Sequence, residues 1–293
     1  MKNILVAIDF SPASLNALDY AINLAHLIKA NLMLLWVDNL VSEDEFTTSK
    51  CQYHHNDAIN KLTELRDTLI LPRLKDTEVS FKIRSGKIEE EVRNQAKYTD
   101  MDYVICGTIG MGKAKEVGTN TFKIVSSISS CPVISVPPSY TWRIKDPNQP
   151  AILVLPIDST PETRQKTDDA IILATVLNIK IHILGLYFTK LSSLRRKVDQ
   201  YVSQIENYLD KISIPYLTVF KDADNITRTT LAYAKEVDAE IIIIMKEQEI
   251  ATQNLFIGPY AQQMINTSPI PVMSITSKDT SFIPDAFCCA SGS

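Results

Sequence analysis

The sequence predicts an α/β protein built from two repeated domains, each a five-stranded parallel sheet with helices on both faces. Three observations carry this expectation. A stretch at the N-terminus recurs without a gap in the middle of the chain. Within each copy, short apolar runs alternate with segments whose apolar residues recur at helical spacing. Late in the first copy, an apolar run passes into "GTIGMGKAKEVGT", which holds four of the chain's eight glycines.

The repeat is read directly. "NILVAIDFSP" (3–12) lies over "ILVLPIDSTP" (152–161), so that Ile8 meets Ile157, Asp9 meets Asp158 and Pro12 meets Pro161. The same offset pairs Asp19 with Asp168, Ala21 with Ala170, Leu24 with Leu173 and Ala25 with Ala174. "PVISV" from Pro132 answers "PVMSI" from Pro271. A period this long means two copies of one domain rather than a solenoid, whose units are much shorter. The expected domains are residues 1–138 and 151–276. The proline-rich, polar stretch 139–150 joins them as a linker, and 277–293 forms a polar tail.

In the first copy, 4–8 is a short apolar run of strand type, and Ser11 is placed to cap a helix with Pro12 at its first position. Leu18, Ala21, Ile22 and Ala25 then mark a helical face. "NLMLLWV" is a second strand, and Leu62, Leu65 and Leu69 mark a longer helix. "VSFKIR" is a third strand. A helix follows, with Glu89, Glu90 and Glu91 in its first turn, where the helix dipole favours acids. "YVICG" and "CPVISVP" are the fourth and fifth strands. The second copy repeats this order, and its second helix is expected to bury Leu194, Val198, Tyr201, Ile205, Tyr208 and Ile212. Strands alternating with helices imply a parallel sheet covered on both faces, with ligands bound beyond the carboxyl ends of the strands. Asp9, Val37 and Gly107 stand at such ends and are expected to meet at one crevice.

Composition bounds the function. A chain of 293 residues with 45% apolar and 22% charged residues is of globular type and long enough for a sizeable core. A net charge of −4 argues against a nucleic-acid coat. The N-terminal apolar run is broken at Asp9, too early for a signal peptide, and "IIIIM" (241–245) is far too short to span a bilayer. Five scattered cysteines fit free thiols in a reducing compartment, hence a cytoplasmic protein without membrane attachment.

A glycine-rich turn between strand and helix leaves amides free to meet an anion, and the helix N-terminus adds its dipole. The alternative is a connecting loop whose glycines only permit turning. "GTIGMGKA" matches most of the P-loop G-x4-G-K-S/T, but Ala114 supplies no hydroxyl for magnesium, and a P-loop ordinarily follows the first strand.

Four stretches together resemble the universal stress protein family: "ILVAIDFSPAS", the strand end "LLWV", "VICGTIG" and "GTNTFKIVSSISSCPVISVP". The resemblance extends over both repeats and implies an adenine nucleotide alpha hydrolase-like fold whose domains pair. One subclass of that family binds ATP through G-x2-G-x9-G-S/T. Gly107 and Gly110 match the first two glycines, and the downstream match makes Gly118 and Thr119 the closing pair. Only seven residues lie between, so the loop is two residues short. A shortened loop could still curl around phosphates, or could close the site. The resemblance implies that Ala7 and Asp9 lie near base and ribose. It implies that Val37 lines an adenine pocket through its backbone, that Gly107 and Gly110 admit the phosphates, and that Gly118, Thr119 and Asn120 offer amides and a hydroxyl. For Asp9 the local alternative is a loop acid that accepts from neighbouring amides.

The second copy lacks this motif. After "IIIIM" comes "KEQEIATQNLFIGPY", with no glycine before Gly258, and Pro259 removes an amide where the hydroxyl residue is expected. The histidines show no metal spacing, so no metal ligands are assigned: His54 and His55 read as solvated, His26 and His182 as packing residues. Cys106 and Cys131 read as buried, inert thiols. No catalytic constellation is evident. The leading expectation is a tandem stress-response or regulatory protein binding one ATP or related adenine nucleotide, with or without Mg, in its first domain. The others are a non-binding interaction scaffold and a slow ATPase. Pairing is expected within the chain, through the last strands at 131–136 and 270–275, or between chains as a homodimer.

Overall fold

The computed structural model describes residues 1–39, 48–108, 119–142, 151–246 and 259–277. Most of the linker, nearly all of the tail and most of the glycine-rich turn lie outside them. The chain divides into two compact units, Met1–Arg143 and Ile144–Ser293.

The first unit runs β1 (Asn3–Ile8), α1 (Pro12–Ile28), β2 (Asn31–Asp38), α2 (Thr48–Glu64), β3 (Val79–Ser85), α3 (Ile88–Tyr98), β4 (Tyr103–Gly107), α4 (Thr119–Ser127) and β5 (Val133–Val136). Its strands are parallel, in the order β3-β2-β1-β4-β5. Strand order reverses between β1 and β4. Right-handed crossovers therefore send α1 and α2 to one face and α3 and α4 to the other. Arg73, beyond α2, ties that first face together by bonding Asp19 and Asn23 of α1. β1 and β4 are central, so Ile4, Leu5, Val6, Val104 and Ile105 are wholly buried, whereas β3 at the edge has no buried residue.

The second unit runs β6 (Ala151–Ile157), a 3-10 turn (Pro161–Arg164), α5 (Thr167–Leu177), β7 (Ile179–Tyr187), α6 (Ser192–Lys211), β8 (Tyr216–Asp222), α7 (Ile226–Glu236), β9 (Ile241–Met245), α8 (Pro259–Thr267) and β10 (Val272–Ile275). Its parallel order, β8-β7-β6-β9-β10, repeats the first topology strand for strand. Even the helix stops repeat. Lys29 and Asn178, at matching positions, both turn left-handed (φ 52°) and bond back to Ala25 and Ala174.

Three helical expectations shift. α2 widens into a π turn at Leu65–Ile70, where Leu71 N–H bonds Arg66 O five residues back. The wider turn moves the apolar register by a residue: Leu62, Ile70 and Leu74 are buried, while Leu65 and Leu69 are only half covered. On α6 the buried line is Val198, Val202, Ile205 and Leu209. Tyr201 flanks it beneath the Arg164 guanidinium, 4.4 Å from the ring centre, and Ile212 is exposed. The first helix of the second copy, expected to begin at Pro161 as α1 begins at Pro12, instead forms the 3-10 turn and restarts at Thr167.

Candidate functional site

In the first unit the candidate crevice lies where β1 and β4 diverge. The turn after β1 is built by local hydrogen bonds. Asp9 Oδ1 accepts the Ser11 amide at 2.9 Å, and the Asp9 amide donates to Ser14 Oγ at 3.3 Å. Ser11 Oγ caps α1 by accepting the Ser14 amide at 3.2 Å, as its sequence position predicts. Asp9 thus makes the local bonds of a loop acid while the residue stays partly open to solvent. Partial desolvation raises its pKa, but the bonds from Ser11 and Ser14 outweigh it, and the carboxyl is held below its usual range.

Gly107 ends β4 beneath the start of α1. A Cβ there would lie 2.4 Å from the carbonyl oxygen of Ala13 and 2.9 Å from the amide nitrogen of Ser14. The glycine therefore has a structural purpose independent of any ligand: it lets helix backbone rest on strand backbone. Its carbonyl accepts Thr121 Oγ1 at 2.7 Å, which fastens the first turn of α4 to the end of β4. Ala7 is half-buried in β1 opposite Leu35, and Val37 is half-buried in β2 opposite Arg84. Thr119 and Asn120 open α4. Gly110 and Gly118 lie outside the described residues. Asp9, Val37 and Gly107 thus end three strands on the same edge of the sheet, with the start of α4 beside Gly107.

Several neighbours escape a sequence reading. Phe10 adopts a left-handed backbone (φ 62°), and its ring centre lies 6.5 Å from that of Trp36. Lys61 Nζ sits 5.4 Å from the Phe10 ring centre. Asp38 is buried, with His55 Nε2 at 3.4 Å and the Trp36 ring meeting His55 edge-on. Ser85 Oγ is 3.3 Å from the same nitrogen. His55 is therefore packed against β2 and β3 rather than solvated like its neighbour His54. His55 stands three and seven residues before the buried Ala58 and Leu62, on the core-facing side of α2, so extending the Leu62 spacing back along the helix is the signal that could have found it. His26, expected to pack, is exposed at the end of α1. His182 is buried as expected, with Nδ1 2.9 Å from Tyr233 Oη. Cys106 and Cys131 are buried and not joined in a disulfide, and burial pushes the Cys106 thiol up to about 12.

The second unit keeps the strand-end turn. Asp158 Oδ1 accepts the Thr160 amide at 2.9 Å, and the Asp158 amide donates to Thr163 Oγ1 at 3.3 Å, the bonds made by Asp9. Met245 takes the position of Gly107: Gly107 pairs with Val136 and Met245 with Ile275. Met245 is wholly buried; a side chain at this register would collide with a helix backbone placed as α1 is over Gly107, in keeping with the 3-10 turn and the later start of α5. Lys166 stands at that break with no exposed surface and donates to Thr163 Oγ1 at 3.3 Å. Burial lowers its pKa to about 8, against the opposing attraction of Asp158. Tyr260 falls where α4 has Asn120. Burial first, and the Asp158 charge second, hold its phenol far above the usual range.

Among the described residues no group of three or more acidic, cysteine or histidine side chains could hold a metal ion, and no helix is long and apolar enough to cross a membrane.

The two units define the class: doubly wound α/β domains with a crevice at the reversal of strand order. Comparison with known proteins specifies it. The family model described as Universal stress protein family matches residues 1–137. The chain is 31% identical over 149 residues to Universal stress protein YxiE of Bacillus subtilis (strain 168), covering 98% of that protein and 46% of this one. A universal stress protein structure from Archaeoglobus fulgidus DSM 4304 is similar in fold, with a TM-score of 0.72 at 14% identity, over 94% of this chain and 98% of that one. So is a functionally unknown protein, PA1789, from Pseudomonas aeruginosa PAO1, with a TM-score of 0.60 at 15% identity, over 95% and 94%. The chain belongs to the universal stress protein family.

Proposed function

We propose that the protein is a stress-response or regulatory protein that binds one adenine nucleotide, ATP or a relative, in its first domain. The observation that carries this reading is the convergence at the end of β4. Gly107 hands the chain to the glycine-rich turn, and Thr121 fastens the first turn of α4 to the Gly107 carbonyl. A helix N-terminus and the glycine-rich turn that precedes it in sequence thereby share one strand end, the arrangement that suits phosphate oxygens.

The neighbouring groups fit the remainder of such a ligand. The Asp9 carboxylate, held ionised and partly open to solvent, is a suitable acceptor for ribose hydroxyls. The backbone at Val37 supplies amide and carbonyl groups for a base edge, with Ala7 beside it on β1. Thr119 and Asn120 supply amides at the start of α4. Binding rather than turnover is the proposed role.

Titration calorimetry of the whole chain with ATP tests this. One site per chain is expected. Two equivalent sites would overturn the assignment to the first domain. The absence of binding at millimolar ATP would favour an interaction scaffold of two such domains.

A further inference from the structure

The second domain, which lacks the glycine-rich turn, carries a cavity of about 720 Å³ at its own strand ends, within the range of small-molecule sites. We infer that this cavity is a second ligand site with a different chemistry: it takes an uncharged, largely apolar organic molecule rather than a nucleotide. This goes beyond the nucleotide reading of the first domain and does not depend on it.

The walls are mostly apolar. Leu186 comes from the end of β7, Phe188 follows it, Leu194 and Val198 come from α6, and Ile226 opens α7. Leu186 stands where the first domain has Val37, so the cavity occupies the counterpart of the first crevice.

Among the described lining residues, every charged side chain has a partner of opposite charge. Arg195 donates to Asp222 at 2.5 Å and lies 4.2 Å from the Tyr187 ring centre. Asp224 pairs with Arg228 at 3.8 Å, and Asp158 is countered by the buried Lys166 ammonium. Among the described lining residues the one cation, Arg195, is thus engaged and none is left over to meet a phosphate. The start of α7 is the remaining attraction for an anion, and it is muted. The Asn225 side chain already accepts the Arg228 amide at 2.9 Å, and the Asp224 carboxylate sits just before the helix. At the start of α8, Pro259 has no amide to offer, and Tyr260 places a neutral phenol where the first domain has Asn120. Among the described lining residues the groups left for specificity are uncharged: the Thr189 hydroxyl, which accepts the Leu191 amide and keeps its own proton to donate, and the amide of Gln263. An apolar body with a carbonyl or hydroxyl matches this surface. A polyphosphate would lose its hydration there without gaining partners.

The test uses the full-length protein and the neutral, environment-sensitive naphthalene ketone prodan. Saturable binding of one prodan per chain is expected, with a blue-shifted emission. A large excess of ATP should leave it bound, and the anionic naphthalene dye anilinonaphthalene sulfonate should compete at least tenfold more weakly than an unlabelled neutral analogue. Leu194→Trp and Ile226→Trp each fill the cavity from a half-exposed wall position, so the domain should keep its melting temperature by circular dichroism. Each should weaken prodan at least tenfold. Absence of saturable binding, displacement by ATP, or equal affinity in both folded tryptophan variants would overturn the proposal.

Discussion

Gly107 and Met245 close the fourth strand of their respective domains at the same register, opposite Val136 and Ile275, and only the glycine lets a helix begin on top of it. In the first domain α1 runs unbroken from Pro12. In the second, the chain makes a 3-10 turn and the helix starts at Thr167. One side chain thus separates a narrow, helix-roofed strand end from a remodelled one.

This relationship predicts the cost of adding a side chain at Gly107. The obstructing atoms, Ala13 O and Ser14 N, are backbone and cannot swing aside. Gly107→Val should destabilise the first domain by at least about 2 kcal/mol, in the upper range for overpacking. Both tryptophans, Trp36 and Trp142, belong to this domain, so tryptophan fluorescence during urea unfolding reads its stability separately. A change below about 0.5 kcal/mol, within the range of ordinary surface substitutions, would contradict the packing account.

Lys166 predicts a pH dependence in the second domain. Its ordinary pKa of 10.5 falls to about 8 in the folded chain because the amine is buried. Below about pH 8 both states carry the proton, and the folded state bears the cost of a buried charge. Between about 8 and 10.5 the unfolded chain binds more protons than the folded one, so stability rises with pH across that window. Against Lys166→Met, which has no such titration, the wild-type protein should gain about 3 kcal/mol between pH 7 and 10.5. Circular dichroism melts of both proteins across this range provide the measurement. A constant difference would show that the amine keeps its proton throughout.

Asn16 fastens α1 to the chain beyond β5. Its Nδ2 donates to the carbonyls of Pro137 and Tyr140, both at 2.8 Å, and Tyr140 is buried against Tyr20. Asn16→Ala should leave both carbonyls without this partner and cost about 1–3 kcal/mol by the same fluorescence measurement. Asn16→Asp should be at least as harmful, because a carboxylate cannot donate to either carbonyl.

How much of this was legible in the sequence depends on the range of the interaction. The Ser11 cap with Pro12 behind it, the strand runs and the repeat of Asp9 at Asp158 are local patterns, and each appears where its pattern lies. The face of α6 was read one flank too far, because tyrosines such as Tyr201 share helical spacing with the buried line while packing at its margin. The π turn at Leu65–Ile70 leaves no local mark and displaces Leu69 in favour of Ile70. Periodicity carried back from Leu62 reports the face of His55 but not its partners Asp38 and Trp36, which belong to a separate element. Lys166 is hardest of all. Nothing in a helix-forming segment announces a buried ammonium, which goes with the later start of α5 beside Met245, far along the chain. Gly110 and Gly118 lie outside the described residues, so the glycine-rich turn rests on sequence and on its anchors at Gly107 and Thr121.

The nucleotide reading makes a ranked prediction for that turn. If Gly110 permits close approach of backbone to phosphate, a Cβ there obstructs the ligand or forbids the required backbone angle. Gly110→Val should weaken ATP at least about tenfold, or about 1.4 kcal/mol. Asp9→Ala removes an acceptor for the ribose and should weaken binding by a smaller factor, since one polar contact is worth about 1 kcal/mol net. It also frees the Ser11 amide, so its melting temperature should fall slightly while that of Gly110→Val holds. Lys113 separates the two phosphate-loop architectures. In a P-loop this lysine is the dominant phosphate ligand, and Lys113→Ala would be the most damaging of the three. In a stress-protein loop it occupies the variable middle, and its loss should change affinity less than twofold. Calorimetry on the three variants, with tryptophan-detected unfolding as the folding control, decides between them. A dominant Lys113 effect would replace the stress-protein geometry with the P-loop. Equal affinity for wild type, Gly110→Val and Lys113→Ala would remove the turn from the binding site altogether.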